Sequence, residues 1–417
     1  MSNYGLIILF ALLAGFLIDT LTVVLNIRSQ QDAPPTEVAG FIDLPTWKKT
    51  MAHARAKAAL EIIASGSKLT ALLIWWFAGG FAWLDRLVTS WKLGALADGV
   101  LYVTLLVLAF KLFALPFKIY NTFVLEARFG FNRTTLATFV DDRAKGLLLA
   151  IVVGGPVLTV VLFLYYFKKE FAWLYCWGIG AAFLVFILYI APVLLMPMFN
   201  RFTPLPEGAL RESILNYLQK VGVPFSGIFT MDGSRRSSRT NAFLTGLGNH
   251  KRIALFDTLL QRHPELEVVA ILAHEVGHHV LGHVVRITVL GIGQLGLLCG
   301  LLAVAMQQPE LHRDFFMDRI TLHGGFVFFI LLSVPLDLLT GPLLKAISRR
   351  FEYAADRYAA DTCGNPAALV SALKRLAVDN LTLLTPHPWH VLLHYTHPPL
   401  LRRIAAIEQQ ARETKNG

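Results

Sequence analysis

Seven apolar runs, at approximately residues 5–26, 69–84, 93–115, 146–167, 171–198, 284–306 and 323–344, constrain this chain more than any other feature of it. Peptide groups in lipid have no water to bond, so a run of about 20 apolar residues crosses a bilayer as a helix. The second run is short and gains length by starting earlier, near Ala58. The first is too long for a signal-peptide core and has no basic stretch before it, so it reads as a retained span. Composition agrees: 55% of the 417 residues are hydrophobic and 16% charged. A soluble domain carries about 25% charged residues, which excludes an ordinary soluble globule.

Seven crossings put the termini on opposite faces, and the distribution of Lys and Arg decides which is which. Segments 27–68 and 116–145 carry six (Arg28, Lys48, Lys49, Arg55, Lys57, Lys68) and five (Lys118, Arg128, Arg133, Arg143, Lys145). The opposite connections carry two each: Arg86 and Lys92, Lys168 and Lys169, Arg313 and Arg319. The amino terminus is therefore expected outside or in a lumen, with 27–68, 116–145, 199–283 and 345–417 in the cytoplasm. The net charge of +10 is explained by these membrane flanks. No basic helix or aromatic-interleaved basic patch points to nucleic acid as a partner. Within the runs, Asp19, Asp98, Lys111 and Asp337 are costly in lipid, and each must face a wet interior or pair with a neighbour.

The chain divides into a five-span membrane domain (1–198), an insert (199–283), spans six and seven (284–344) and a helical tail (345–417). The insert shows a helical pattern over about 207–222, a strand-like stretch at Gly227–Met231, a turn-rich segment from Asp232 to Arg239, and short apolar runs at Ala242–Leu244 and Arg252–Phe256 separated by Gly246, Gly248 and Asn249. That pattern reads as a small sheet. Pro264 and Glu265 start a helix with Leu266, Val269, Ala270 and Ala273 at helical spacing.

On that helix lies His274-Glu275-Val276-Gly277-His278. Two imidazoles four residues apart share a helix face and reach one tetrahedral ion. Glu275 projects beside them, where it can take a proton from a water without being a ligand. The three cysteines (Cys176, Cys299, Cys363) lie far apart and build neither a disulfide framework nor a Cys-x-x-Cys site, so the remaining ligands are His or carboxylate. His279 and His283 read as non-ligands, His283 because on one continuous helix it stands about 180° round from His274.

A third ligand must come from elsewhere in the chain. Glu310, Asp314 and Asp318 emerge on the wrong side of the bilayer after span six. After span seven the first carboxylates on a helical pattern are Glu352 and Asp356, four apart and so on one face. One can ligate while the other accepts the free N–H of a ligating histidine. The motif helix ends within about ten residues of span six, roughly 15 Å, which sets the metal close to the membrane and favours membrane-tethered substrates.

His274–His278, Glu352-Tyr353-Ala354-Ala355-Asp356, Asn241-Ala242-Phe243 after Asp232–Ser237, Phe129-Gly130-Phe131-Asn132-Arg133-Thr134-Thr135, and His397-Pro398-Pro399 with Arg403 together resemble the type I CAAX prenyl endopeptidases. The resemblance runs from about residue 40 to 405. HtpX-like proteases share the zinc motifs but resemble only the catalytic half and have fewer spans. What the resemblance implies is a mainly α, seven-span barrel around a chamber, with a small α+β zinc metalloprotease domain and one zinc ion per chain. It makes Glu352 the third ligand and Asp356 its support, sets Asn241 and Ala242 on an edge strand that pairs with peptide, and has His397 and Arg403 hold the transition state or a substrate carboxylate. Arg403 is chosen over Arg402 by the family's six-residue offset from the histidine. Members of that family remove the last three residues of an isoprenylated C-terminal Cys-aliphatic-aliphatic-any sequence.

The expectation is thus a zinc-dependent membrane endopeptidase acting on peptide or lipidated-protein substrates, in a bacterial inner membrane or the endoplasmic reticulum. Quality-control proteolysis of membrane proteins would differ only in substrate. A non-catalytic zinc-binding protein or transporter would carry its ligands within the spans at mid-bilayer.

Overall fold

In the computed structural model, which describes residues 1–246, 251–306 and 308–416, helices long and apolar enough to cross a membrane occupy Asn3–Arg28, Leu44–Phe77, Ala95–Glu126, Leu136–Phe167, Ala172–Phe199, His283–Ala305 and Leu322–Thr362. Each packs on the next in chain order, and the seventh packs on the first, so the seven close into a ring. Their large outer side chains, Phe10, Leu17 and Leu339 among them, are exposed as lipid contact requires. At one end the ring is plugged by a core that includes Trp76, Tyr102, Phe315 and Phe328. Asp314, beyond span six, accepts from the backbone of Ser2 and Gly5 at the start of span one, so both belong to that plugged end. A cavity of about 850 Å³ opens between spans one, two, three and seven on the other side of the plug.

The second span starts earlier than 69, as expected, but differs from its expected bounds at both ends, near Ala58 and at 84. It begins at Leu44 and ends at Phe77, and residues 80–90 form a separate short helix. The break falls at Gly79, whose φ of +73° a residue with a side chain adopts at a cost. Among the costly polar groups, Asp19, Lys111 and Asp337 line the large cavity, whereas Asp98 is buried in the helix packing.

The insert folds on the unplugged side as a four-stranded sheet in the order β1-β2-β4-β3. β2 (Gly227–Met231) runs parallel to β4 (Arg252–Phe256), and β3 (Ala242–Thr245) runs antiparallel to β4 at one edge. β1 (Phe202–Pro204), not expected from the sequence, pairs with β2 at the other edge. Gly248 and Asn249 lie outside the described residues. The sheet and the motif helix Glu265–Val280 share a core that includes Ile253, Leu255, Leu272 and Val276.

Two ties fix this unit to the membrane helices. Asn132 bridges to Ser237, and Ser238 N–H donates to Phe131 O at 3.0 Å, so the Phe129–Thr135 stretch between spans three and four grips the turn-rich segment ahead of β3. Two arginines of that segment then make ion pairs, Arg236 as a fork on Asp142 and Arg239 from Nη2 to both oxygens of Glu126. The segment leading into β3 is therefore anchored on the membrane domain at its side chains and its backbone.

Candidate metal centre

The motif helix begins at Glu265, directly after Pro264 at its N-cap, with Glu265 and Glu267 at its positive end. It stops at Leu281, and Gly282 (φ +67°) redirects the chain so that His283 opens span six on a new axis. His283 stays outside the group of donors as expected, but the angular argument assumed one continuous helix, and this turn brings the ring against His278 instead of to the far face. The His283 Nδ1 lies 3.0 Å from His278 Nδ1, and its ring stacks on Phe351 at 4.2 Å between centroids.

Span seven supplies the opposing wall. Its 41 residues reach about 60 Å at 1.5 Å per residue, twice a hydrocarbon core, so the helix leaves the bilayer and continues past the motif helix. The two helices meet at Gly277, where an added Cβ would stand 3.1 Å from Ala355 O. The missing side chain lets the backbones close, and the close approach carries Glu352 between the two histidines.

His274, His278 and Glu352 each turn one donor atom into a common point, all within 4.8 Å of one another. His274 Nε2 lies 3.2 Å from His278 Nε2, His278 Nε2 lies 3.2 Å from Glu352 Oε1, and His274 Nε2 lies 3.4 Å from Glu352 Oε2. Ligands about 2.1 Å from a tetrahedral ion stand roughly 3.4 Å apart, which is the spacing found. Glu352 Oε2 is also buried and accepts no hydrogen bond, with Arg403 Nη1 as its cationic neighbour at 3.5 Å, an expensive arrangement that a metal at the common point would relieve. These residues fit a divalent metal.

Behind the ligands stands a layer of partners. His274 Nδ1 meets Asp356 Oδ1 at 2.9 Å. Asp356 in turn accepts a fork from Arg403, Nε to Oδ2 at 2.7 Å and Nη2 to Oδ1 at 2.6 Å. The Arg403 guanidinium is thus engaged by Asp356, with Nη1 turned toward Glu352 at 3.5 Å. Burial alone would push the His274 imidazole down, but the Asp356 and Glu352 carboxylates beside it outweigh burial and raise it to about 9, so a cation at Nε2 competes with a proton there.

Burial raises the Glu275 carboxyl above its ordinary value, against the opposing pull of His274 and His278. Glu275 faces a cavity of about 320 Å³ shared with His278, His279, His283, Leu244 and Leu188. His279 is in that cavity but outside the group of donors. The Leu244, Thr245 and Gly246 end of β3 forms another wall. Ala242 opens the strand and is buried, while Asn241 stands one residue before it and accepts its own neighbour's N–H, from Ala242, at 2.9 Å. The edge strand is thus beside the carboxylate that would handle protons. His397 comes from the tail: its Nε2 lies 3.2 Å from Glu352 Oε1, and its side chain is 61% exposed, leaving the ring open to a ligand.

The comparisons with known proteins follow the same residues. Residues 24–201 match the family model described as CAAX prenyl protease N-terminal, five membrane helices, and residues 204–411 match peptidase family M48. The CAAX prenyl protease 1 of Saccharomyces cerevisiae is 32% identical over 93% of this chain and 91% of its own. The chain belongs to this family. A CAAX prenyl protease 1 homolog of Oryza sativa is 36% identical over 72% of this chain and 71% of its own. The crystal structure of S. mikatae Ste24p superposes with a TM-score of 0.93 at 31% identity, covering 98% of this chain and all of that one. As a member of the CAAX prenyl protease family and of peptidase family M48, the protein is a multi-pass membrane metalloendopeptidase. His283 and Gly277 are the site residues that sequence reasoning missed, and Gly282, a helix breaker between the motif and span six, was the available signal.

Proposed function

We propose that this protein is a zinc endopeptidase that cleaves near the C-terminus of membrane-anchored substrates, isoprenylated Cys-aliphatic-aliphatic-any sequences foremost. The observation that carries the reading is the convergence of His274 Nε2, His278 Nε2 and the Glu352 carboxylate on one point, with Glu275 beside it and a sheet edge alongside. Two imidazoles and a carboxylate suit zinc, one ion per chain. Bound there, zinc would polarise the scissile carbonyl and acidify a water.

The protein's own residues do the rest. A peptide adds as a strand along β3, from Asn241 and Ala242 to Thr245, which brings its backbone to the wall that carries Glu275. Glu275 takes a proton from the attacking water and hands it to the leaving amine, a task suited to a carboxyl raised above its ordinary value. His397 donates to the oxyanion as it forms. Asp356 holds His274 with Nε2 toward the metal, Arg403 holds Asp356, and His283 holds His278 in the same way. The family names of the relatives and the short chain between the site and span six support a lipidated or membrane-tethered substrate. The surplus of Lys and Arg in 27–68 and 116–145 supports a cytoplasmic site, with the amino terminus on the opposite face.

The test is purified protein given a farnesylated peptide ending in such a sequence, with release of the last three residues followed by mass spectrometry. Cleavage should stop with a chelator and return with zinc. Glu275→Gln should lose about 1,000-fold in rate while zinc stays near one per chain. Equal cleavage by that variant would remove Glu275 from the chemistry, and no cleavage of any prenylated peptide by the wild type would remove the substrate class.

A further inference from the structure

The large cavity inside the ring has a wall of two kinds. One is hydrocarbon, from Leu12, Phe16, Leu72, Val107, Phe110 and Leu338. The other is cationic: Lys68 from span two, Lys111 and Lys118 from span three, and Lys345 from span seven. Lys111 and Lys118 are two helical turns apart and so share a face, and Lys68 lines the same cavity.

Two carboxylates share the cavity, but each has another partner. Asp19 lies 3.7 Å from His394 Nε2, and Asp337 accepts from Gln294 Nε2 at 3.4 Å. Lys345 donates to Leu393 O. Among the described residues Lys68, Lys111 and Lys118 make no hydrogen bond, ion pair or ring contact. A lysine inside a membrane span is costly and persists where it meets a compensating group. Three of them on an apolar wall focus a positive potential into one space.

We propose that this cavity binds an anionic phospholipid, its phosphate among Lys68, Lys111 and Lys118 and an acyl chain along the apolar wall. A zwitterionic lipid brings its own cation and gains little from the lysines. A soluble anion gains nothing from the hydrocarbon, and a cavity between membrane helices meets lipid first. The proposal does not depend on the peptidase reading. Because Lys345 precedes Glu352 by seven residues on one helix, and His394 precedes His397 by three, bound lipid would lie along the approach to the metal site.

The full chain, reconstituted in phosphatidylcholine bilayers, is titrated with phosphatidylglycerol, and retained lipid is counted by native mass spectrometry. Wild type should retain phosphatidylglycerol over phosphatidylcholine, with the apparent affinity falling about fivefold for each lysine removed in K111Q, K111Q/K118Q and K68Q/K111Q/K118Q. A K48Q/K49Q control, removing two exposed lysines outside the cavity, should leave retention unchanged. Retention unchanged in K111Q/K118Q, or equal retention of both lipids by wild type, would overturn the proposal. So would displacement by inorganic phosphate as effective as by short-chain phosphatidylglycerol, which would make the site one for a small anion. Should the multiple variants fail to fold, that displacement experiment on wild type decides alone.

Discussion

The two sides of the metal centre are built from different chemistry. On the span-seven side, His274 leans on Asp356, and Asp356 on Arg403, a buried chain of alternating charge. On the span-six side, His278 leans on His283, a neutral imidazole stacked on Phe351, next to the cavity that holds Glu275. Ligation through Nε2 would put the His278 proton on Nδ1, 3.0 Å from His283 Nδ1, which is placed to accept it. A carboxylate partner orients a ligating histidine and raises its basicity, while an imidazole partner chiefly orients it. The charged side is therefore expected to set how tightly a metal would be held. The neutral side leaves room for a substrate without burying another charge beside it.

The largest effect is expected from breaking the charged side. Asp356→Asn keeps the shape but removes the charge, and it offers His274 Nδ1 an amide that can donate as well as accept. It also leaves the nearly buried Arg403 guanidinium with only the Glu352 carboxylate, 3.5 Å from Nη1, as a counter-charge. Metal affinity should fall about 100-fold, read by competition with a chromogenic chelator. Unfolding free energy should fall by about 3 kcal/mol, read by thermal or denaturant unfolding. Affinity within twofold of wild type would mean that the two sides are equivalent.

The neutral side gives a smaller and more selective effect. His283→Phe keeps a ring on Phe351 but loses the acceptor, so metal affinity should drop about tenfold with little change in melting temperature. His283→Asn keeps an acceptor and loses the stacking, so it should recover most of the affinity and melt earlier. If both substitutions act alike, His283 serves packing only. The contrast between the pair separates orientation of His278 from simple support of the fold.

Which parts were legible in the sequence follows from what each signal measures. The His-Glu-x-x-His spacing and the seven apolar runs are properties of single helices, and local pattern suffices to find them. The end of span two needed more, because hydropathy carries on through Trp83 and Leu84 while the backbone has already turned at Gly79. His283 was misplaced for a related reason: angular spacing assumes an unbroken helix, and Gly282 breaks it. Asp98 could not be told from Asp19, since both are lone acids in apolar runs and only packing decides that one is buried and the other faces the cavity. For Arg403 the sequence carried the charge and its distance from His397, but not the direction of the guanidinium, which the Asp356 carboxylate determines.

Gly277 touches both sides at once and should give the smallest effect. It faces span seven, where Ala355 O and Tyr358 Cδ1 would each lie 3.1 Å from a new methyl. Tyr358 can swing, but the Ala355 carbonyl belongs to the helix that carries Glu352 and moves only with it. Gly277→Ala therefore sets a better helix former against a forced separation of the two helices by a few tenths of an ångström. Because Glu352 faces His274 and His278 across that gap, separation loosens its approach to both equally and leaves both partner layers intact. The expected outcome is a loss of about 1 kcal/mol in metal binding, roughly fivefold, with no change in the preference of His283→Asn over His283→Phe when the substitutions are combined. If Gly277→Ala binds metal as tightly as wild type, the helix approach is not what holds Glu352 in reach. The long rigid span seven would then have to position the ligand unaided.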